Sequence, residues 1–293
     1  MKIGVNLPQT TTYDLAHDVT AFARAAERIG FDSLWAYDRL LSPDDQSGPH
    51  GLYGVPDRPW PQRYGYATDP LITLAQAAAV TERVELGTGV LVPALHTPVR
   101  LAKSLAGLDA ASGGRFIAGL GVGWSTDEFA AAAPRPLAER GAALDEFLDV
   151  AAAVWGPDPV AFDNGRYRVA PARINPKPAR PIPVFLGGAS DAALRRIARR
   201  ADGWLPTGVP AAQVAATMAR LREMAAANGR DPASIGCVYQ VGFRDAAGVE
   251  QAAGEIRELG GAGVEHVYVT LPSVTRDLAE LLDTAEALHR AVR

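Results

Sequence analysis

The 293-residue chain is 48% hydrophobic and 21% charged, an ordinary balance for a globular protein and ample for one large core. Its 29 basic and 33 acidic side chains leave a net charge of −4 without long single-sign runs, so neither a nucleic-acid nor a membrane partner is expected. The single cysteine, Cys237, excludes an internal disulfide or cysteine metal cluster, and no apolar run approaches transmembrane length, so a cytoplasmic location is expected.

Strand-like and helical patterns alternate along the chain. Lys2–Leu7 reads as a first strand and Asp14–Ile29 as a helix, with Ala16, Val19, Phe22, Ala23 and Ala26 on one face and Gly30 as its stop. Phe31–Tyr37 is a second strand. The rhythm then breaks at Ser42–Pro70, a loop rich in proline and aromatic residues. It leaves the C-terminal end of a strand, where barrels keep their active sites. It therefore reads as a lid or substrate wall presenting Trp60 and Tyr64, or else as a packed Ω-loop. A helix over Leu71–Thr81, a third strand Val84–Leu91 and a helix Pro98–Ala111 follow. A fourth strand, Arg115–Gly121, comes after the turn Ser112-Gly113-Gly114, and Ala138–Trp155 is a long helix. Gly156–Arg180 is a second break, with a hairpin around Asn164-Gly165. Val184–Leu186, Gly203–Pro206, Ile235–Phe243 and Val264–Leu271 supply strands five to eight, and Leu278–Val292 a last helix. Eight βα repeats predict an α/β fold, a (β/α)8 TIM barrel forming one domain over 1–293 with a small insertion between the fourth and fifth units.

Candidate chemistry sits at the strand ends. The fifth strand runs into Gly187-Gly188-Ala189-Ser190 and directly into helical sequence from Asp191. Unpaired N–H groups and the helix dipole favour a phosphate at such a turn. An ordinary tight turn is the competing reading, and the barrel context favours the phosphate. Gly119–Gly123 has the spaced glycines of a dinucleotide fingerprint but lacks the acidic residue that should end the next strand. Gly121 and Gly123 instead suggest backbone lying close against a flat ring, or a barrel corner. Glycines within Gly87-Thr88-Gly89-Val90 suggest a bulge. The only lysines, Lys2, Lys103 and Lys177, stand away from strand ends, which argues against Schiff-base chemistry. The five histidines show no ligand spacing, so no protein-held metal is expected. Asp127 and Glu128, opening the helix after Trp124, read as complements to its dipole. Trp35 reads as core, and Trp204 equally as core or site.

These landmarks together resemble the luciferase-like monooxygenase superfamily, barrels that use FMN or the deazaflavin coenzyme F420. The carriers span the chain: Ile3-Gly4-Val5-Asn6-Leu7-Pro8, Trp35-Ala36-Tyr37-Asp38-Arg39, Leu86-Gly87-Thr88-Gly89-Val90, Ser112-Gly113-Gly114-Arg115-Phe116, Gly119-Leu120-Gly121-Val122-Gly123-Trp124, Gly187-Gly188 and Ala201-Asp202-Gly203-Trp204. Their wording is most similar to actinobacterial F420-dependent members. The resemblance implies an oxidoreductase that moves hydride between the deazaflavin C5 and an organic substrate. It implies a cofactor site formed by Asp38, the Gly89, Val90 and Leu91 segment with a cis Gly89-Val90 peptide, Gly121, Gly123 and the Gly187–Ser190 turn. Trp60, Tyr64 and Trp124 would face the substrate, and a homodimer is implied. Asp38 matches a cofactor-contacting aspartate. Arg39 stands where many relatives carry a catalytic histidine; arginine cannot shuttle a proton but can hold an anion. Trp124 and Gln9 replace glutamates of the glucose-6-phosphate dehydrogenase members, which disfavours sugar-phosphate chemistry. Alternatives are an FMN-dependent monooxygenase of the same fold, a non-catalytic flavin or deazaflavin binder, and a cofactor-free barrel acting on a sugar phosphate.

Overall fold

The computed structural model describes residues 1–243 and 248–293. Eight parallel strands close a barrel: β1 (Lys2–Asn6), β2 (Ser33–Ala36), β3 (Glu85–Thr88), β4 (Phe116–Leu120), β7 (Val184–Leu186), β8 (Gly203–Trp204), β9 (Gly236–Val241) and β10 (His266–Val269). Their order is β1-β10-β9-β8-β7-β4-β3-β2, and the register Lys2↔His266 to Val5↔Val269 joins last strand to first. Both faces of these strands are covered, so β2, β4 and β10 are buried at every residue, as apolar runs in a parallel sheet require.

Helices α1 (Asp18–Ile29), α2 (Pro70–Ala78), α3 (Pro98–Ala111), α4 (Thr126–Ala132), α5 (Arg140–Trp155), α6 (Asp191–Arg200), α7 (Ala211–Ala227), α8 (Val249–Gly261) and α9 (Leu278–Val292) surround it. Their ends obey local chemistry. Gly30, at φ 111°, returns its N–H to the Ala26 carbonyl and stops α1. Asp69 accepts the Leu71 and Ile72 amides to start α2, with Pro70 at the first helical position. Between α5 and β7 the antiparallel hairpin β5 (Val160–Asp163) and β6 (Arg168–Ala172) stands outside the barrel, turning at Asn164-Gly165 as its sequence predicts.

The strands are shorter than their apolar runs. Leu7, Tyr37, Val90, Leu205 and Phe243 extend beyond the sheet and line its mouth. The expected sixth strand, Gly203–Pro206, contracts to Gly203–Trp204, because Pro206 brings no N–H to a ladder. Under the mouth, Trp35 lies flat on Tyr268 at 4.4 Å and donates to Ser33 Oγ (2.8 Å), which in turn meets His266 Nε2 (2.7 Å). Trp35 is core, as expected. Among the described residues no helix is long and apolar enough to cross a membrane.

Candidate active site

A cavity of about 630 Å³ opens at the C-terminal ends of the strands, the face that carries function in barrels. Of the residues singled out from the sequence, Asp38, Arg39, Gly89, Val90, Gly121, Gly123, Gly187, Gly188, Ala189, Tyr64 and Trp124 line it together. Leu91, Ser190 and Trp60 do not line it. Leu91 is fully buried and exchanges backbone hydrogen bonds with Gly119 and Gly121. Ser190 caps α6, its Oγ accepting the Ala193 amide. Trp60 is anchored in the loop wall, its amide N–H on Gln46 Oε1 (2.6 Å) and its indole N–H on the His50 carbonyl (2.8 Å).

The glycines divide into two kinds. A Cβ on Gly121 would lie 2.7 Å from Val90 Cγ2, and one on Gly123, at φ 76°, would crowd Phe129 and Val92. Packing within the wall thus gives these two cavity-lining glycines a reason of its own. Gly187 differs: its Cβ would meet nothing closer than 3.7 Å, so bare backbone faces the cavity there by space rather than by clash. The Gly187-Gly188 turn is fixed by Trp204, whose indole N–H donates to the Gly188 carbonyl (2.8 Å). Trp204 thus belongs to core and site at once. α6 opens directly behind this turn, its N-terminus toward the cavity rim.

Asp38 follows the C-terminal end of β2. Its Oδ2 accepts the Val92 amide (3.0 Å) and lies 3.6 Å from His96 Nε2, while its own amide donates to the Val90 carbonyl (3.1 Å). Asp38 thereby holds the segment containing the Gly89-Val90 peptide, which is cis. Gln9 faces the same wall with both ends of its amide occupied: Nε2 donates to the Tyr37 carbonyl and Oε1 accepts the Tyr37 amide, each at 2.7 Å.

Arg39 is buried. Its Nε donates to the Asp38 carbonyl (2.9 Å), and Nη1 lies 3.2 Å from Glu128 Oε2 in an ion pair without hydrogen-bond geometry. Three rings cover the guanidinium: Trp124 at 5.0 Å, Tyr64 at 5.2 Å and Trp60 at 5.6 Å. Glu128, 1% exposed, also accepts the Leu40 amide (2.9 Å). Burial raises its carboxyl above the usual range, opposed by Arg39 and by the Leu40 and Leu41 amides. Asp127 accepts from His50 of the loop (2.9 Å). The two acids therefore do more than complement a dipole: each binds a residue of another segment. Nothing local in the sequence marks this, since Ser125 with Glu128 three residues on reads as a helix start. Burial pushes the Tyr37 hydroxyl up to about 12, so it stays protonated; among the described residues it has no hydrogen-bond partner, and neither has Asn6 Oδ1, both on cavity-lining residues.

A parallel barrel whose glycine turns, acidic strand end and aromatic loop meet in one cleft defines a barrel enzyme. The sequence pattern of the luciferase-like monooxygenase family matches residues 1–290, and the chain belongs to that family, as an oxidoreductase. It is 36% identical over 198 residues to the uncharacterized protein Rv0953c of Mycobacterium tuberculosis, covering 67% of this chain and 70% of the relative. It is 33% identical over 187 residues to the F420-dependent glucose-6-phosphate dehydrogenase of Intrasporangium calvum, covering 62% of this chain and 51% of the dehydrogenase. A solved F420-dependent secondary alcohol dehydrogenase shares the fold, with a TM-score of 0.79 at 18% identity over 100% of this chain and 99% of the other.

Proposed function

We propose that the protein is an F420-dependent oxidoreductase acting on an organic substrate other than glucose 6-phosphate. The observation that carries the cofactor is the one-third identity to dehydrogenases named for F420, across about half their length. The residues present fit such a group. Backbone without side chains lines the cavity at Gly89, Gly187 and Gly188, a flat cradle that a Cβ at Gly187 would enter. The α6 N-terminus behind Gly187–Ser190 suits a phosphate. The unpartnered Asn6 Oδ1 supplies an acceptor for a ring N–H.

In this reading the Gly187–Ala189 backbone and α6 hold the phosphate, and Trp204 keeps the turn in place. The Gly89-Val90 segment, tied to Asp38 through Val90 and Val92, supports the ring, and the Asp38 carboxylate faces its polar edge. When bound, the deazaflavin supplies hydride exchange at C5. The loop rings of Tyr53 and Tyr64, with Trp124, exclude water from the substrate side. Tyr37, protonated and without a partner among the described residues, supplies a hydrogen-bond donor. Gln9 is committed to the Tyr37 backbone and Trp124 to the aromatic wall, which supports a substrate other than the sugar phosphate.

The test is a spectroscopic titration of the protein with F420 and with FMN, followed by stopped-flow reoxidation of the reduced cofactor with candidate alcohols, aldehydes and enones. Saturable F420 binding with substrate-dependent reoxidation is expected. Preference for FMN with oxygen consumption would replace the reading by a flavin monooxygenase. Binding without turnover across the substrate panel would favour a non-catalytic binder.

A further inference from the structure

We infer that Glu128 is a positioning residue: acting through Arg39, it docks the 42–70 loop on the start of α4 and the connection before it, and fixes the aromatic wall that the substrate meets. This rests on the reading that the loop covers the substrate half of the cavity. Glu128 lines no part of that cavity. One of its oxygens accepts the amide of Leu40 and the other faces the guanidinium of Arg39, so it grips two consecutive residues where the chain enters the loop.

The guanidinium then organises the wall. Nε is taken by the Asp38 carbonyl and Nη1 faces Glu128, while rings lie over its faces. Trp60 and Tyr64 come from the loop and Trp124 from the β4–α4 connection. A planar, permanently charged fork can hold in-plane partners and ring faces together, which neither a histidine nor a lysine at this position would reproduce. The first turn of α4 and the connection before it each hold the loop once more, through His50 on Asp127 and the edge-to-face contact of Tyr53 with Trp124.

The consequence reaches the substrate. With Glu128 beside Nη1 and rings over its faces, Arg39 is engaged within the protein, and the wall presents the rings of Tyr53, Tyr64 and Trp124 beside the Arg39 and Arg63 side chains. The substrate moiety against those rings is therefore apolar or aromatic.

Hydrogen exchange read by mass spectrometry tests this on the whole protein without added ligand. In Glu128→Gln, which leaves the Arg39 charge buried without a counter-ion, amides of the 42–70 loop should exchange roughly tenfold faster or more, while those of β1, β9 and β10 hold their parent rates. The double variant Arg39→Met/Glu128→Leu buries no charge; it should melt near the parent temperature yet leave the loop as fast-exchanging as in the single variant. Loop exchange within about twofold of the parent in Glu128→Gln, or full loop protection in the double variant, would overturn the inference. If Glu128→Gln fails to fold, the double variant decides alone by the same criterion. F420 titration is read separately, so a parent protein that binds no F420 strikes the functional reading and leaves the loop comparison standing.

Discussion

Changing His266 to Gln should flatten the acid limb of the protein's stability curve. His266 is buried in the barrel floor, and burial pushes its pKa from the ordinary 6.5 down to about 4; Glu85 and Asp32 pull the other way and Lys2 adds to the shift. Ser33 Oγ accepts the Trp35 indole N–H, so every proton is satisfied when Ser33 donates to a neutral His266 Nε2. A protonated imidazole would strand the Ser33 proton in the core. The native state therefore refuses a proton that the unfolded chain takes. Above 6.5 both states are neutral and the contribution is fully present. It is lost as pH falls from 6.5 towards 4, where the native protein finally titrates. Worked through that window, the loss relative to neutral pH is roughly 2 kcal/mol by pH 5 and approaches about 3 kcal/mol at lower pH. Urea denaturation of parent and variant at about pH 8 and pH 5 measures it: the parent should lose roughly 2 kcal/mol more than the variant. Comparing slopes cancels the carboxylates and the exposed His17, which both proteins share. Parallel losses in the two proteins would refute the argument. The consequence reaches the site, because Trp35 stacks on Tyr268, whose hydroxyl lies directly behind Gly89.

Gly187→Leu should weaken F420 and FMN binding by roughly tenfold or more, about 1.4 kcal/mol, with an unchanged circular dichroism spectrum; unaltered titrations would remove the cofactor from this turn. The equivalent change at Gly188 is a poorer probe, since its φ of 102° strains any side chain. Trp204→Phe removes the indole donor to the Gly188 carbonyl and should lower cofactor affinity by roughly three- to tenfold, as one hydrogen bond is worth; equal affinity would make Trp204 core alone. Asp38→Asn keeps an acceptor for the Val92 amide while removing the charge, and should weaken binding or slow turnover about tenfold. Parent-like behaviour in both assays would confine Asp38 to holding Val92.

The barrel was legible because its information is local. Apolar runs, the Gly30 helix stop and the Asn164-Gly165 turn each act within a few residues, and together they determine element type and order. Strand ends were less legible. Val90, Leu205 and Phe243 continue the apolar pattern past the sheet because they line a cavity, and hydropathy does not distinguish a barrel interior from a pocket wall. The glycines were legible as necessary but not as to why. Gly121 and Gly123 are demanded by Val90, Val92 and Phe129, whose positions follow from tertiary packing.

Arg39 is where the two levels part most sharply. The sequence shows an arginine where relatives often carry histidine, and an isolated arginine at a strand end suggests a free cation awaiting an anion. Whether it is free depends on Glu128, 89 positions away along the chain, and on rings from two separate segments. Once that pair is buried, the residue's chemistry changes in kind: a group that would attract a charged substrate becomes one that holds a loop. A carboxylate at helix position three after a serine cap looks the same in sequence whether it closes a capping box or crosses to another segment. Here Ser125 Oγ accepts the Glu128 amide, the backbone half of the box, while the Glu128 side chain turns away to Arg39 and Leu40. One residue thus both starts α4 and grips the loop entrance, so the geometry of the wall is tied to the register of the helix behind it.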